Sequence, residues 1–236
     1  MGNTGVRRRI LKILINRFEF SALLLIVAAA PWTHAAAQAT SAAQPAQKRA
    51  TAPPLPPPGT YNVDPRHSFA FFGARHHVVG LVRGRFDKVT GTIAAAQDPA
   101  ACSVDITIDV STVSTQVAER DEDLRSPEYF DVKKFPTMTY RGRGIRRASA
   151  TSWIMDGDLT LHGVTRRVPL TFTFNGAFAD TKAGEPARVV FHGTAATKRV
   201  EYGIGARDNL DELGTLQTPD VAIEIDVEAD EVLPEH

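Results

Sequence analysis

Residues 120–147 read RDEDLRSPEYFDVKKFPTMTYRGRGIRR. The charged start predicts a short helical turn, the Pro-gated middle a loop, and residues 136–147 a strand. In that strand Met138, Tyr140, Gly142 and Gly144 fall on one face. Thr139, Arg141, Arg143 and Ile145 fall on the other, because side chains alternate along extended chain. Glycine is a poor strand-interior residue, so two on the less polar face predict bending, or room for something else. A sheet with space on its apolar side suits a barrel that encloses a lumen.

The same alternation recurs outward from this stretch. Val104, Ile106, Ile108 and Val110 alternate with Ser103, Asp105, Thr107 and Asp109. Val221, Ile223, Ile225 and Val227 alternate with Ala222, Glu224, Asp226 and Glu228. Trp153, Met155, Gly157, Leu159 and Leu161 share a face, as do Val168, Leu170, Phe172 and Phe174. Val189, Phe191, Gly193 and Ala195 form another, and Val82, Gly84 and Phe86 a further one. Turn signals lie between them at Thr90-Gly91, Asp98-Pro99, His162-Gly163, Asn175-Gly176 and Lys182-Ala183-Gly184. Many half-buried strands at short spacing predict an antiparallel sandwich or barrel. The inner-face glycines (Gly84, Gly142, Gly144, Gly157, Gly193) predict bent strands, added lumen volume, or both.

The N-terminus has another character. Arg7, Arg8, Arg9, Lys12 and Arg17 precede an apolar stretch from Phe20 to Ala30, and small residues follow at Ala35-Ala36-Ala37. This predicts a secretory signal over 1–37, with an uncleaved anchor as the alternative. The apolar core is shorter than the ~20 residues of a spanning helix. Segment 1–37 holds five of the 27 Lys and Arg and one of the 27 Asp and Glu, so the rest carries 22 against 26. A mildly acidic body gives no reason to expect nucleic acid as a partner. Residues 38–58, ending PPLPPPG, predict a disordered Pro/Ala-rich linker. One folded domain is expected over 59–229, with a tail at 230–236. The single cysteine, Cys102, leaves no partner for an internal disulfide.

Three blocks carry a resemblance: YNVDPRHSFAFFGARHHVVGLVRGRFDKVTGTI, RDEDLRSPEYFDVKKFPTMTY and GDLTLHGVTRRVPLTF. In this order they resemble the YceI-like proteins of bacteria, over essentially all of residues 60–228. The resemblance implies an all-β fold, an antiparallel eight-stranded extended lipocalin-like barrel with a short helix between strands. It also implies an exported, periplasmic protein that binds an isoprenoid or similar long-chain amphiphile in its lumen. Segment 197–205 departs from the pattern: Val200-Glu201-Tyr202 stands where the family more often has a polar residue, Asp and Phe.

From faces and resemblance together, the expected lumen is lined by Phe69, Phe71, Val104, Ile106, Ile108, Met138, Tyr140, Trp153, Met155, Leu159, Phe172, Phe174, Phe191, Ile223 and Ile225. Near residues 69–72 both parities are apolar, so alternation leaves open which phenylalanines face in. The expected ligand is an isoprenoid or quinone-like lipid, with no other cofactor.

Arg120 and Arg125 are headgroup candidates, since arginine's fork suits a phosphate. The competing reading is a solvated ion-pair face on a helix, with Asp121 and Arg125 one turn apart. Arg141, Arg143, Arg146, Arg147, Arg166 and Arg167 predict either a solvated outer wall or a transient contact with anionic membrane lipid. Adjacent His76 and His77 point to opposite faces of a strand, and His67 lies ~33 Å of extended chain from His77, so no metal site is expected. In the YceI-like pattern His67, Ser68 and His76 recur together, so the resemblance implies a structural hydrogen-bonding role near a barrel end. No G-x-S-x-G, P-loop, H-E-x-x-H or C-x-x-C occurs, so no catalytic residue is expected. Two weaker alternatives stand beside the lipid binder. One is an enzyme using His67 or Tyr140 as acid or base; the other is a filled barrel that only makes protein contacts.

Overall fold

The computed structural model describes residues 54–76, 80–179, 186–205 and 220–233. The expected signal (1–37), residues 38–53 of the expected linker, His77 and residues 234–236 lie outside the described residues. The strands are β1 (Gly59–Val63), β2 (Phe69–His76), β3 (Gly80–Phe86), β4 (Val89–Ala95), β5 (Ser103–Asp109) and β6 (Val113–Ser114). They continue with β7 (Thr137–Arg147), β8 (Trp153–Leu161), β9 (Val164–Ala179), β10 (Ala187–Lys198) and β11 (Asp220–Glu231). An α-helix, α1 (Ala118–Arg125), sits between β6 and β7.

Hydrogen bonding runs β1-β4-β5-β7-β8-β9-β10-β11, and β11 returns to β1 with Tyr61 opposite Glu231. The result is a closed antiparallel ring of eight strands, as the alternation and the resemblance predict. Closure leaves no edge in the ring, so the apolar faces converge on one interior. Three short strands prolong the ring at one end. β2 pairs with β11 and β3, and β3 pairs with β6. In sequence they continue β1, β4 and β5, so the first three strands of the meander are each broken once.

The breaks have local causes. Between β1 and β2, Asp64 turns back onto its own chain by accepting from Arg66 N at 2.9 Å. Ser68 then bonds to the Glu228 backbone in both directions at 3.1 Å. Between β5 and β6, Asp109 accepts from Ser111 N at 3.0 Å and starts one 3-10 turn.

Helix α1 has no apolar stripe, and its formation depends on tertiary contacts. Glu119 and Asp121 lie in its first turn and Arg125 in its last, as the helix dipole favours. Asp121 is only 7% exposed and accepts from Thr115 N at 2.7 Å and from the Thr115 hydroxyl. Burial pushes its pKa up, but the two Thr115 bonds, with Arg125 and Arg120 nearby, hold the carboxyl below its usual value. The expected solvated ion-pair face is thus corrected: Asp121 is an internal anchor.

One parity expectation fails on β7. Its register against β8 shifts between Gly142 and Ile145, so β7 carries one extra residue there. Gly144 has φ +70°, and its N–H donates to Cys102 O at 2.7 Å. A glycine in the left-handed region builds a bulge cheaply, and a bulge reverses the faces beyond it. Ile145 therefore faces in, 9% exposed, and packs with Cys102, Trp153 and Met155. Gly144→Val is expected to cost about 1–2 kcal/mol, the strain of a Cβ in that region, read as a lower urea midpoint.

Three of the inner-face glycines, Gly84, Gly142 and Gly157, do not add lumen volume, whereas Gly193 borders the cavity. A Cβ on Gly84 would lie 2.3 Å from the Phe72 ring, one on Gly142 2.3 Å from Met155 Sδ, and one on Gly157 2.3 Å from the Tyr140 ring. Each of these three seats a large side chain from the neighbouring strand.

Candidate functional site

The ring encloses a cavity of about 470 Å³. Its wall reaches from Leu55, Ala96, Cys102 and Ile145 at one end to Arg75, Arg120, Asp123, Thr197 and Arg199 at the other. Along β7 it runs from Met138 to Ile145, roughly 20 Å of strand at the rise of extended chain. The space is long, narrow and apolar along most of its length. Its charged residues gather at the end where α1 docks.

Most expected lumen residues are in this wall: Phe71, Val104, Ile106, Ile108, Met138, Tyr140, Met155, Leu159, Phe172, Phe191, Ile223 and Ile225. Phe69, Trp153 and Phe174 are not. Ala70 pairs with Ile225 and Phe72 with Ile223, so these two occupy the inward row of β2. Phe69 and Phe71 share the other row with Arg85, whose guanidinium lies 5.2 Å from the Phe69 ring centre, although Phe71 still borders the cavity. Phe174 packs on Phe191, with ring centres 5.6 Å apart. Trp153 belongs to the buried floor, and its indole N–H donates to Pro54 O at 3.3 Å. Leu55 and Pro56 border the cavity beside it. Residues 54–58 are thus part of the domain rather than of a disordered linker, because their prolines bring apolar surface and carbonyl acceptors to the open barrel end.

The two headgroup candidates separate. Arg120 borders the cavity; its Nε donates to Thr115 Oγ1 at 2.8 Å and its Nη2 to Thr115 O at 3.2 Å. Arg125 is absent from the wall. Its Nε donates to Ser111 O at 3.0 Å and its Nη2 to Val113 O at 2.7 Å, which ties α1 to the end of the third meander strand. The sequence reading missed Arg75 and Arg199, which follow from the converging ends of β2 and β10.

Tyr140 spans three strands. Its hydroxyl lies 3.0 Å from both Met155 O and Val168 O, and burial pushes its pKa up to about 12. A phenol held this way is a brace, poorly suited to taking a proton at neutral pH. His67 lies outside the cavity, its Nδ1 2.8 Å from Asp64 Oδ2. On the outer wall Arg141, Arg146 and Arg167 pair with Asp105, Asp156 and Asp158 at 3.0, 3.4 and 3.7 Å. Half of the expected basic patch is therefore neutralised by carboxylates of adjacent strands.

Residues 61–229 match the family model described as a YceI-like domain. The chain belongs to the YceI-like family. Among curated relatives, a UPF0312 protein of Pseudomonas aeruginosa is 33% identical over 147 residues, covering 61% of this chain and 75% of that one. A UPF0312 protein of Pseudomonas savastanoi is 30% identical over 140 residues, covering 59% and 72%. Among solved structures, the YceI protein of Campylobacter jejuni has a TM-score of 0.56 at 26% identity, over 66% of this chain and 88% of that one. BcnA of Burkholderia cenocepacia has a TM-score of 0.61 at 21% identity, over 70% and 98%. A polyisoprenoid binding domain from Saccharophagus degradans, implicated in plant cell wall breakdown, has a TM-score of 0.55 at 17% identity, over 73% and 98%. These solved structures share the fold, and in this chain the barrel encloses an apolar cavity.

Proposed function

We propose that this YceI-like protein is an exported carrier or sequestering protein for a long-chain amphiphile, an isoprenoid or quinone-like lipid, held in the barrel lumen. The carrying observation is the cavity itself. A space of about 470 Å³ is within the usual range for small-molecule sites. A narrow apolar tunnel roughly 20 Å long suits a linear tail better than a compact ring system. Burial of the tail supplies affinity at ~25 cal/mol per Å², less the cost of ordering it. The likeness to a polyisoprenoid binding domain supports the same class of ligand. Export rests on the basic and apolar pattern of residues 1–37.

The test is native mass spectrometry with lipid extraction, on protein purified from its own host. The expected result is one co-purifying polyprenyl compound per chain. A chain that carries no lipid and binds no polyprenyl compound in solution would overturn the reading.

The charged end of the lumen is proposed as the headgroup end, where Arg75, Arg120 and Arg199 border the cavity. A charge-assisted hydrogen bond contributes about 1.5–3 kcal/mol. Arg120→Gln is therefore expected to weaken binding of a polyprenyl phosphate about tenfold or more, and to leave an uncharged polyprenol nearly unaffected. Titration of both lipids against both proteins checks this.

A further inference from the structure

The outer face of β11 carries four carboxylates in a row: Glu224, Asp226, Glu228 and Asp230. Arg188 on β10 satisfies two, with Nη1 3.1 Å from Glu228 and Nε 2.7 Å from Asp230. Among the described residues, Asp226 pairs with a histidine alone, His192 Nδ1 at 2.8 Å, and no cation pairs with Glu224. His192 stands opposite Asp226 in the β10–β11 register, and Glu224 lies two residues along the same face. One imidazole nitrogen and one oxygen from each carboxylate lie within 4.8 Å of one another. We propose that His192, Glu224 and Asp226 form a site for a divalent transition metal of the Zn²⁺ class on the outer wall of the barrel.

The donor set selects the class. Imidazole nitrogen with two carboxylates suits zinc and its neighbours, whereas calcium and magnesium favour oxygen alone. Charge points the same way. With a neutral imidazole the three groups carry two negative charges, which a dication cancels. Tetrahedral bonds of ~2.0–2.2 Å put ligand atoms about 3.4 Å apart, so the widest pair must close by up to about 1.4 Å, a change that side-chain rotation supplies. Three protein ligands leave a fourth position for water.

The support is rigid, because β10 and β11 are both hydrogen-bonded on two sides. Phe69 lies opposite Asp226 and Phe71 opposite Glu224 on β2, so aromatic side chains flank the carboxylates. Thr173 lies opposite His192 on β9. This row accounts for Phe69, which is absent from the cavity wall. The site is on the outer surface, so it is independent of any lipid in the lumen.

Calorimetric titration of ZnCl₂ into the full chain, after chelator treatment, tests the proposal. The expected result is one saturable equivalent with a dissociation constant on the order of micromolar. His192→Ala, and separately Glu224→Gln with Asp226→Asn, should each weaken it at least about tenfold. His67→Ala should leave it unchanged. Zn²⁺ should also raise the Tm of the wild type and not of the His192 and carboxylate variants, each shown to be folded by circular dichroism. Wild-type protein without a saturable equivalent would overturn the proposal. So would undiminished binding in folded His192→Ala, or magnesium binding as tightly as zinc.

Discussion

Asp64→Ala is expected to destabilise the barrel by about 3 kcal/mol at neutral pH. Asp64 sits at the break between β1 and β2, and its side chain is 4% exposed. Its Oδ1 accepts from Arg66 N at 2.9 Å and from Arg66 Nε at 3.2 Å. Its Oδ2 takes Arg66 Nη2 and Arg188 Nη2 at 3.2 Å each, and His67 Nδ1 at 2.8 Å. One carboxylate thus fixes the turn, the entry to β2, and the start of β10. Breaking a buried ion pair from one side costs about 3–5 kcal/mol, because the remaining partner keeps its charge without compensation. The lower end applies here. Arg66 is largely exposed and rehydrates, and Arg188 keeps Glu228 and Asp230.

The acid limb of stability follows from the same group. The Arg66 hydrogen bond, against an opposing burial effect, and then His67 hold the Asp64 carboxyl well below the usual carboxylate range. A group with a depressed folded pKa contributes fully above its unfolded value, near 3.9, and loses that contribution as pH falls toward the folded value. The gap between wild type and Asp64→Ala should therefore be widest at pH 5–7 and should narrow below about pH 4. Urea unfolding of both proteins at pH 7 and pH 3 measures it. An equal gap at both pH values would show that lost packing, not charge, sets the cost.

Strand positions were legible because alternation is a property of neighbours along the chain, whereas closure into eight strands came from the resemblance, since alternation alone left sandwich and barrel open. Val104 to Val110 and Val221 to Val227 show their faces without knowledge of the partner strand. What failed depends on backbone geometry or on distant partners. Nothing in RGRGIRR distinguishes a glycine that widens a lumen from Gly144 in a bulge, so Ile145 was assigned to the wrong face. FAFF has apolar residues at both parities, and only pairing with Gly84 and Ile223 orients Phe72 inward. Arg120 and Arg125 differ in role because α1 points one toward the cavity and the other at backbone carbonyls of residues 111 and 113. The His192 constellation was invisible for a related reason: its carboxylates lie more than thirty residues downstream, and only the β10–β11 register joins them. Tyr140 over Gly157 belongs in between. Both residues were visible as inner-face positions, but the fit of ring onto glycine required the β7–β8 pairing.

Ala195→Trp is expected to weaken retention of a lipid tail by well over tenfold while leaving the barrel folded. Ala195 stands opposite Ile223 on the inner face and borders the cavity between Phe191 and Thr197. An indole there projects into the tunnel below its charged end and bars the tail from the deeper apolar part. Losing roughly 100 Å² of tail contact at ~25 cal/mol per Å² forfeits about 2.5 kcal/mol, a factor of about 60 in affinity. Overpacking a filled core would cost about 1–3 kcal/mol in stability, but here the ring enters existing space. Binding and stability should therefore part company: a large loss of polyprenyl affinity with little change in Tm. Ala196→Trp is the matched control, since Ala196 is exposed on the opposite face of the same strand. It should retain lipid as the wild type does. A folded Ala195→Trp protein that still co-purifies with lipid, at wild-type affinity, would place the ligand outside the lumen and remove the basis for reading this barrel as a container.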